Sequence, residues 1–561
     1  MAEKINEKVS EEMNTNSKCD NKKVSVDKKN ELIKQGSILA VAGIIVRMIG
    51  LLYRIPMANL LGAEGNGIYS VAFGIYNIAL TLSSYSLPLA VSKLMSHRLA
   101  KKEYKNAYHV FRNAFIFAVI SGTIACSFIY FGAGFFETLY AKKGLAIPLR
   151  VVAPTTFIMA MLGVFRGLFQ GKSTMVPTAV SQIVEQIINA GISVFAAYEL
   201  MKIYSTSVNI AAFGAAGGIC GTLAGAFSAL LFLVLLYFVS RKTMMRQKKL
   251  DQTKKVESNR QIYKILIVTT IPVILSQTVY QIGYTIDDIV FGNIMQLKGM
   301  EGSVISSLQG VFNSQYNLLI NVPVAIASAM AASTIPSITS SRALRKKQEV
   351  KDKISSVKKF NMVIAFPAAV GLMVLAYPIM TILFPSIIDY RSVAVNLMIY
   401  GSFAVVFYSL STITSAILQA LNYMRIPVIH SAVSLVVHVA IIVPLLYFTN
   451  MNVYALLIGN VTFPLIVSIL NWRSVAKYAN YNQEVKKTFV FPLIGSGIMG
   501  VIVYGSYTFI YSLTGILIIG LAVSMVLGTL VYGIFILKIG CFSKMELKEI
   551  PMGGHFIKFV K

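Results

Sequence analysis

Residues 36–60 read GSILAVAGIIVRMIGLLYRIPMANL, and this stretch decides the fold. About 20 apolar residues in a helix cross the roughly 30 Å of hydrocarbon in a bilayer, so the stretch is long enough to span a membrane. It also exceeds the apolar core of a cleavable signal peptide, which has roughly 7–15 residues. We interpret it as the first membrane span, and it carries two arginines, Arg47 and Arg54.

The rest of the chain has the composition of a protein embedded in lipid. Of its 561 residues, 56% are hydrophobic and 13% are charged, and the mean hydropathy is +0.68. A soluble chain has about 25% charged residues, so a soluble enzyme and a disordered protein are both excluded. The four cysteines are scattered without metal-ligand spacing. The composition predicts an all-α polytopic membrane protein.

Apolar stretches of span length recur along the whole chain. We predict about fourteen transmembrane helices, because each stretch is close to the length that a crossing requires. Their expected bounds are 36–60, 67–92, 110–136, 146–169, 174–201, 208–239, 264–292, 303–335, 359–384, 391–421, 426–448, 453–475, 488–511 and 514–538. An even number of crossings places both termini on the same side.

The basic residues predict the orientation. Lys and Arg total 51 against 23 Asp and Glu, which gives a formal net charge of +28. They concentrate in the N-terminal tail and in loops 93–112, 241–264 and 342–359, whereas the alternate loops 61–66 and 449–452 have none. Because Lys and Arg accumulate on the cytoplasmic side, we expect both termini to be cytoplasmic. We expect these residues to contact anionic membrane lipids and do not expect nucleic-acid binding.

Two pairs of similar segments indicate an internal repeat. LPLAVS at 87–92 resembles VPVAIA at 322–327, and residues 170–177 resemble residues 419–427. Six predicted spans separate the members of each pair, so the two copies have the same orientation. This predicts two six-helix lobes in a parallel pseudo-twofold repeat plus two C-terminal helices, with a substrate site between the lobes. Chance placement of proline in apolar helices is the alternative.

The predicted spans also divide the chain. We expect, in order, a disordered cytoplasmic tail, lobe one, a cytoplasmic linker, lobe two, spans thirteen and fourteen, and a cytoplasmic C-terminal tail. Their bounds are 1–35, 36–240, 241–263, 264–475, 488–538 and 539–561. Disorder is expected at the N-terminus because the segment is hydrophilic and its charges nearly cancel.

Arg47 and Arg54 are candidate functional residues, since an arginine at a span centre costs about 2.5–3.5 kcal/mol on insertion scales. Seven positions at about 100° each return a helix to nearly the same direction, and they separate the side chains by about 10 Å along the axis. Two guanidinium groups on one face suit a diphosphate, whose oxygens match their planar donors. Snorkelling to the interface, or an ion pair with another helix, is the alternative.

Span five carries a polar face on an otherwise apolar helix. Gln182, Glu185, Gln186 and Asn189 follow the i, i+3, i+4, i+7 spacing of one helix side. We predict that Gln182 and Glu185 contribute to the substrate site. Glu185 is expected to neutralise a span-one arginine between substrate visits, or to bind a coupling cation. A hydrogen-bonded seam between helices is the alternative.

Spans seven and eight also carry polar side chains in an apolar context. Gln281 lies in span seven, and span eight has an amide every four residues at Gln309, Asn313, Asn317 and Asn321. Amide groups suit sugar hydroxyls, so we predict that Gln281, Asn313 and Asn317 bind substrate. Hydrogen bonds between helices are again the alternative.

No pattern of catalytic residues accompanies these helices. The sequence has no Walker-type phosphate-binding loop, and its hydrophilic stretches are too short for a soluble catalytic domain. Asp287 and Asp288 fall late in span seven and are expected near the interface. His430 and His438 are expected to be lone histidines, packed or pore-lining. A transporter is therefore predicted rather than an enzyme.

Three N-terminal segments carry a resemblance to a known family. They are IVRMIGLLYRIP at 45–56, LGAEGNGIY at 61–69 and LPLAVSK at 87–93. Together with the layout of the spans, they resemble the polysaccharide-transporter branch of the MOP exporter superfamily. Within that branch the chain is most similar to the group that holds the lipid II flippase MurJ and stage V sporulation protein B.

The resemblance implies a flippase in the bacterial cytoplasmic membrane. Its substrate would be an undecaprenyl-diphosphate-linked sugar, with lipid II as the first candidate, moved from the inner to the outer leaflet by alternating access. Functional cavity arginines of the first helix in that group match Arg47 and Arg54, and an asparagine of the second helix matches Asn77. A further second-helix arginine of the group falls on an apolar position here.

We expect a monomer without a cofactor, coupled to the membrane potential or to a monovalent cation. Moving one elementary charge through 100 mV is worth about 2.3 kcal/mol, and an inside-negative potential favours outward movement of an anionic head group. Export of another lipid-linked oligosaccharide stays open, as does cation-coupled multidrug export within the same superfamily. A membrane glycosyltransferase or ligase would need a large outer loop, and the expected outer loops are short.

Overall fold

A computed structural model of the chain describes residues 2–83, 87–251, 253 and 256–542. The side chains of these residues are described except at 2–37, 40, 269, 271–273, 275–282 and 284. All regular secondary structure within the described residues is helical, which confirms the all-α class.

Six helices make up the described chain before residue 250. Their bounds are α1 Ala2–Ser83, α2 Leu87–Ala100, α3 Tyr104–Leu139, α4 Ala146–Gly171, α5 Val176–Ile203 and α6 Ile210–Lys249. Helix α1 contains two predicted spans, because Gly62 interrupts it with φ 64° and ψ −174°. Glycine is the residue that reaches this conformation without strain, so span one meets span two at Gly62.

Eleven α-helices follow in the second half of the described chain. Their bounds are α7 Asn259–Leu297, α8 Gly302–Gly310, α9 Asn317–Ala343, α10 Lys347–Val374, α11 Ala376–Leu383, α12 Arg391–Gly401, α13 Ala404–Ala420, α14 Arg425–Phe448, α15 Val453–Ala479, α16 Phe491–Thr514 and α17 Leu517–Lys538. A π-helical turn, Val311–Tyr316, joins α8 to α9 within span eight. Such turns insert a residue into a helix and occur often at functional sites.

The number of apolar helices agrees with a polytopic membrane protein. In the described residues, 11 helices are long and apolar enough to cross a membrane, or up to 12 if the pair α12 and α13, bent by 50°, forms one span. One of the 11 runs from Val41 to Ala100 and includes the break at Gly62. Helix α7 covers the expected seventh span. The count of about fourteen is consistent with this architecture.

The helices pack as two bundles with two further helices on one side. In the first bundle, α5 packs with α6, α3 with α4, and α1 with both α5 and α6. In the second bundle, α13 packs with α9, α10 and α15, and α14 packs with α15. Helix α16 packs with α17 and against α10. These are the two lobes and the C-terminal pair.

The hydrophilic segments adjoin helices of the membrane region. The disordered tail expected at residues 1–35 stays a prediction; in the structure α1 begins at Ala2. The linker expected at 241–263 is shorter, because the basic residues after 240 extend α6 to Lys249. Helix α7 then begins after Ser258, which forms a capping box with Gln261. The C-terminal tail beyond residue 542 lies outside the described residues.

The two lobes touch tightly at the end where span one meets span two. A Cβ added at Gly67 would lie 1.8 Å from the carbonyl oxygen of Ser306, and one added at Gly310 would lie 2.0 Å from that of Ala63. Both distances are far below van der Waals contact, so only glycine allows this approach. We call this region the closed end; it lies opposite the end that carries the N-terminus.

Candidate functional site

A polar cavity of about 330 Å³ lies between the lobes beneath the closed end. Lobe one lines it with Arg54, Tyr69 and Asn77, and lobe two lines it with Asp288, Asn313 and Asn317, among others. Four of the candidate residues, Arg54, Asn77, Asn313 and Asn317 of spans one, two and eight, therefore lie around one cavity. Polar side chains from two independent bundles make this the strongest candidate for a substrate site.

A second and larger cavity, of about 740 Å³, continues towards the end that carries the N-terminus. It runs between span one and span eight and is lined mainly by apolar side chains, together with Arg47 and Gln186. Arg54, Leu318 and Asn321 line both cavities. Arg54 therefore lies at the junction of a polar chamber and a largely apolar passage.

Arg47 and Arg54 are both exposed to this cavity system. One guanidinium NH group of Arg47 donates to the backbone oxygen of Ala325 at 3.2 Å and so connects span one to span eight. The guanidinium carbon of Arg54 lies 6.0 Å from the ring centroid of Phe73. In the described part of the chain, neither arginine forms an ion pair with a carboxylate. The expected cationic pair is thus brought together with open space beside it.

Glu185 has a different partner from the one expected. Its carboxylate forms a salt bridge of 2.6 Å with Arg166 of α4, whose Nε also donates to the hydroxyl of Ser181 at 3.1 Å. The expectation that Glu185 neutralises a span-one arginine is therefore corrected, because Arg166 is closer and already paired. Neither Glu185 nor half-buried Gln182 lines the two cavities described above.

The other two residues of the polar face on span five, Gln186 and Asn189, differ in their surroundings: one lines a cavity and the other lies in a hydrogen-bonded seam between helices. Gln186 lines the larger cavity. Asn189 is buried, and its amide donates to the hydroxyl of Tyr53 at 3.3 Å while its oxygen accepts from Ser193 at 2.9 Å. Asn189 therefore belongs to a seam between helices, as the alternative proposed.

Asp288 faces the cavity from span seven, where it was expected at an interface. Its carboxylate accepts from the amide of Asn313 at 3.1 Å, and the same amide lies 3.4 Å from the hydroxyl of Ser70 in lobe one. Asn317 continues this chain of amides, since its nitrogen lies 3.5 Å from the side-chain oxygen of Asn313. The amides of span eight thus both line the cavity and hydrogen bond between helices.

A buried lysine lies at the closed end. Lys142 is 2% exposed, and its ammonium group donates to the backbone oxygen of Gly67 at 3.1 Å. Burial lowers the pKa of Lys142 to about 8, while Asp288 and Glu64 act in the opposite direction. Lys142 comes from the loop between α3 and α4, so its hydrogen bond joins this loop to the start of span two within lobe one.

His438 is not a lone histidine. Its Nε2 lies 2.6 Å from the carboxylate of Asp287, and its Nδ1 lies 3.1 Å from the backbone oxygen of Gly459. His430 likewise has a partner, the side-chain oxygen of Asn471 at 2.7 Å. Spans seven, eleven and twelve are therefore joined by polar contacts inside lobe two, and adjacent Asp287 and Asp288 point to different partners.

The sequence analysis did not select two charged residues near the site, Arg166 and Lys142. Arg166 satisfies the criterion that singled out Arg47, a charge inside an apolar span, and could have been found by it. Lys142 could not, because its sequence position indicates only a loop. The side chain of Gln281 lies outside the described residues. No group of three or more His, Cys, Asp or Glu suited to a metal occurs in the described chain.

Two helical lobes around a shared polar cavity, in a chain whose helices are apolar enough to cross a bilayer, define a multi-pass membrane protein of the two-lobe class. The family model of the polysaccharide biosynthesis proteins matches residues 32–342. The chain belongs to this family, and its resemblance to the MOP superfamily is confirmed.

Two curated proteins of one bacterium are similar to this chain over most of its length. Stage V sporulation protein B of Bacillus subtilis (strain 168) is 24% identical over 542 residues, which is 94% of this chain and 99% of that protein. The lipid II flippase MurJ of the same organism is 24% identical over 489 residues, covering 84% of this chain and 88% of the flippase.

Solved structures show the same fold. A lipid II flippase MurJ in an inward closed conformation has a TM-score of 0.64 at 15% identity, covering 89% of this chain and 97% of that one. An inward-facing multidrug resistance transporter of the MATE family, in the MOP superfamily, has a TM-score of 0.61 at 16% identity, covering 78% and 96%. The chain therefore shares the fold of these two proteins.

Proposed function

We propose that the protein is a flippase that moves an undecaprenyl-diphosphate-linked sugar, with lipid II as the first candidate, from the inner to the outer leaflet. The observation that carries this proposal is the position of Arg54, which lines both the polar chamber and the apolar passage. A lipid-linked sugar needs both environments at once, and its diphosphate lies at the junction between them.

The lining residues suit the parts of such a substrate. Arg47 and Arg54, without carboxylate partners in the described chain, offer planar donors to the diphosphate. Asn77, Asn313 and Asn317 offer amides to sugar hydroxyls within the polar chamber. The apolar passage between span one and span eight leaves room for the first part of a prenyl chain.

The closed end suggests the direction in which the substrate enters. We propose that both termini are cytoplasmic, as the distribution of Lys and Arg predicts, so the closed end faces outward. The passage beside Arg47 then opens towards the inner leaflet, where the substrate is made. Release on the other side requires the contacts at Gly67 and Gly310 to separate, which is alternating access of the two lobes.

The proposal also includes the energy source. An inside-negative potential favours outward movement of an anionic head group, at about 2.3 kcal/mol per charge for each 100 mV. Net flipping in vesicles should therefore stop when an ionophore collapses the potential. Unchanged flipping would remove the potential as driving force and leave a coupling cation as the alternative.

The central experiment is complementation of a bacterial strain whose lipid II flippase can be depleted. The parent chain should restore growth, and Arg47→Ala and Arg54→Ala should both fail at normal membrane levels. Arg260→Ala is the matched control, since Arg260 is an exposed arginine outside both cavities. Growth of the Arg47→Ala/Arg54→Ala double variant would remove the proposed diphosphate site.

A second candidate is a cation-coupled multidrug exporter of the same superfamily. The observation that favours it is Asp288, a carboxylate that lines the polar cavity and could attract an organic cation. This candidate would be supported if the chain failed to complement the flippase-depleted strain but made cells resistant to cationic dyes, and if Asp288→Asn abolished that resistance.

A further inference from the structure

Lobe one contains a third cavity, separate from the two between the lobes. It has a volume of about 350 Å³ and lies between α3, α4 and α6. Aromatic rings form one wall: Phe111 and Tyr237 have centroids 5.6 Å apart, and Phe165 lies 5.6 Å from Phe111 and 5.7 Å from Tyr237. A connected cluster of rings offers a broad apolar surface.

Three cations line the same cavity. Arg112 comes from α3, and Arg241 and Lys248 come from α6. All three are exposed, and none forms an ion pair with a carboxylate among the described side chains. The lining contains no acidic residue. The cavity therefore presents uncompensated positive charge above an apolar wall.

The cations lie at the level expected for lipid phosphates. Arg112 is eight residues after the start of α3 at Tyr104, and Arg241 is eight residues before the end of α6 at Lys249. At 1.5 Å per residue, both are about 12 Å from the same end of the bundle. The sequence places the hydrocarbon boundary of these spans near residues 110 and 239, so both arginines lie at that boundary.

The surface beside the cavity faces lipid. Ile116, Phe238 and Val239 are 39%, 56% and 78% exposed, and large apolar side chains on the outside of a membrane-embedded helix contact acyl chains. A lipid can therefore reach the cavity laterally, with its chain along α3 and α6 and its head group towards the cations.

We propose that this cavity binds one anionic phospholipid of the bilayer, on the side of the membrane that carries the termini. Arg112 and Arg241 hold its phosphate, Lys248 contacts the head group, and the first part of an acyl chain lies against the rings of Phe111 and Tyr237. Basic pockets between helices on the cytoplasmic side suit anionic head groups. The aromatic wall favours a lipid over a free phosphate ion. The site is independent of the proposed flippase activity.

The test measures lipids retained by the purified full-length chain with native mass spectrometry, after exchange into mixed micelles of detergent with phosphatidylglycerol or phosphatidylcholine. The parent should retain one phosphatidylglycerol in preference to phosphatidylcholine. Arg112→Gln/Arg241→Gln should weaken that retention by about tenfold or more, because two charge-assisted hydrogen-bond donors are lost. Lys242→Gln/Lys249→Gln removes the same charge from exposed positions of α6 outside the cavity and should retain the lipid.

Each result decides the proposal. Equal retention of both lipids by the parent would overturn it whether or not a variant folds. Equal loss in the cavity variant and the control would show non-specific attraction, which also overturns it. Displacement of the lipid by millimolar inorganic phosphate would show that the cavity is an anion site and not a lipid site.

Discussion

Arg54 is a charged residue within a membrane span, and its side chain is nevertheless exposed. It is exposed because it borders two cavities, and Phe73 covers one side of its guanidinium group at 6.0 Å. The aromatic ring stabilises a charge in that position, and the open space beside it leaves room for an anionic substrate.

The paired N–H donors of the Arg54 guanidinium group should contribute to flipping in addition to its charge. We expect Arg54→Ala to reduce the rate at which a fluorescent lipid-linked sugar is flipped in proteoliposomes by about tenfold or more. The rate of Arg54→Lys should lie between those of the parent and Arg54→Ala. Lysine keeps the charge but loses the paired donors that match a diphosphate. Full activity in both variants would mean that Arg54 does not contact the substrate.

The salt bridge between Arg166 and Glu185 should be structural. Its side chains are 11% and 24% exposed, and loss of one partner of a buried pair costs up to about 3–5 kcal/mol. We expect Glu185→Gln to lower the melting temperature while the folded fraction still flips. Glu199→Gln, on the same helix, is the control and should leave stability unchanged. Lost flipping at unchanged stability would instead return Glu185 to the role of a coupling site.

Lys142 predicts how stability depends on pH. Its pKa is lowered from 10.5 to about 8 in the folded protein, mainly by burial, so between these values the unfolded chain binds more protons. Stability from this group therefore rises from pH 8 to pH 10.5 and is lost as the pH falls through that window. Lys142→Met should remove this rise in melting temperature. The same slope in parent and variant would contradict the assignment.

The closed end depends on the close approach of α1 and α8, whose backbones meet at Gly67 and Gly310 without side chains between them. The loop that carries Lys142 and the α8 segment around Ser306 both meet the backbone near Gly67. The contact combines close packing with a buried lysine. The proposed alternating access requires this contact to separate.

Gly67→Ala should shift the protein away from the closed conformation. The added methyl group would lie 1.8 Å from the Ser306 oxygen, so the two lobes must move apart there. We expect spin labels on the loops of the closed end to report a larger distance. Gly302→Ala is the control, because nothing lies within 4 Å of a Cβ at that position. Identical distance distributions in both variants would show that the contact yields locally.

The π-helical turn Val311–Tyr316 is an element that the sequence pattern did not reveal. An amide every four residues in span eight predicts one continuous face, but Gln309 turns to the backbone oxygen of Asp288 at 3.0 Å whereas Asn313 and Asn317 line the cavity. The inserted residue changes the direction of the face between these positions. Hydrophobic periodicity does not report such an insertion, because the turn sequence VFNSQY mixes apolar and polar residues without a pattern that marks an extra residue.

The whole molecule makes a prediction about orientation. In a variant without native cysteines, a cysteine at Ser205, in the loop between α5 and α6, should react with an impermeant maleimide in intact cells. A cysteine at Thr174, in the loop between α4 and α5, should react only after permeabilisation. The reason is that Lys and Arg accumulate on the side of the termini. The opposite labelling pattern would invert the proposed direction of transport.

The membrane class, the apolar helices and the two-lobe arrangement could be predicted from the sequence alone, and so could the polar positions Arg47, Arg54, Asn313 and Asn317. The polar positions follow from the cost of placing polar groups in lipid, which acts on each span separately and therefore leaves a local pattern. Asn77 was singled out only by the resemblance to a known family.

Which polar groups meet became visible in the folded structure and not in the sequence. It paired Glu185 with Arg166 and Asp287 with His438, brought Lys142 to the closed end, and placed Arg54 at the junction of two cavities. Partners 19 to 151 residues apart in the chain leave no shared periodicity. Their meeting depends on how whole helices are rotated and tilted against one another, which packing between helices sets.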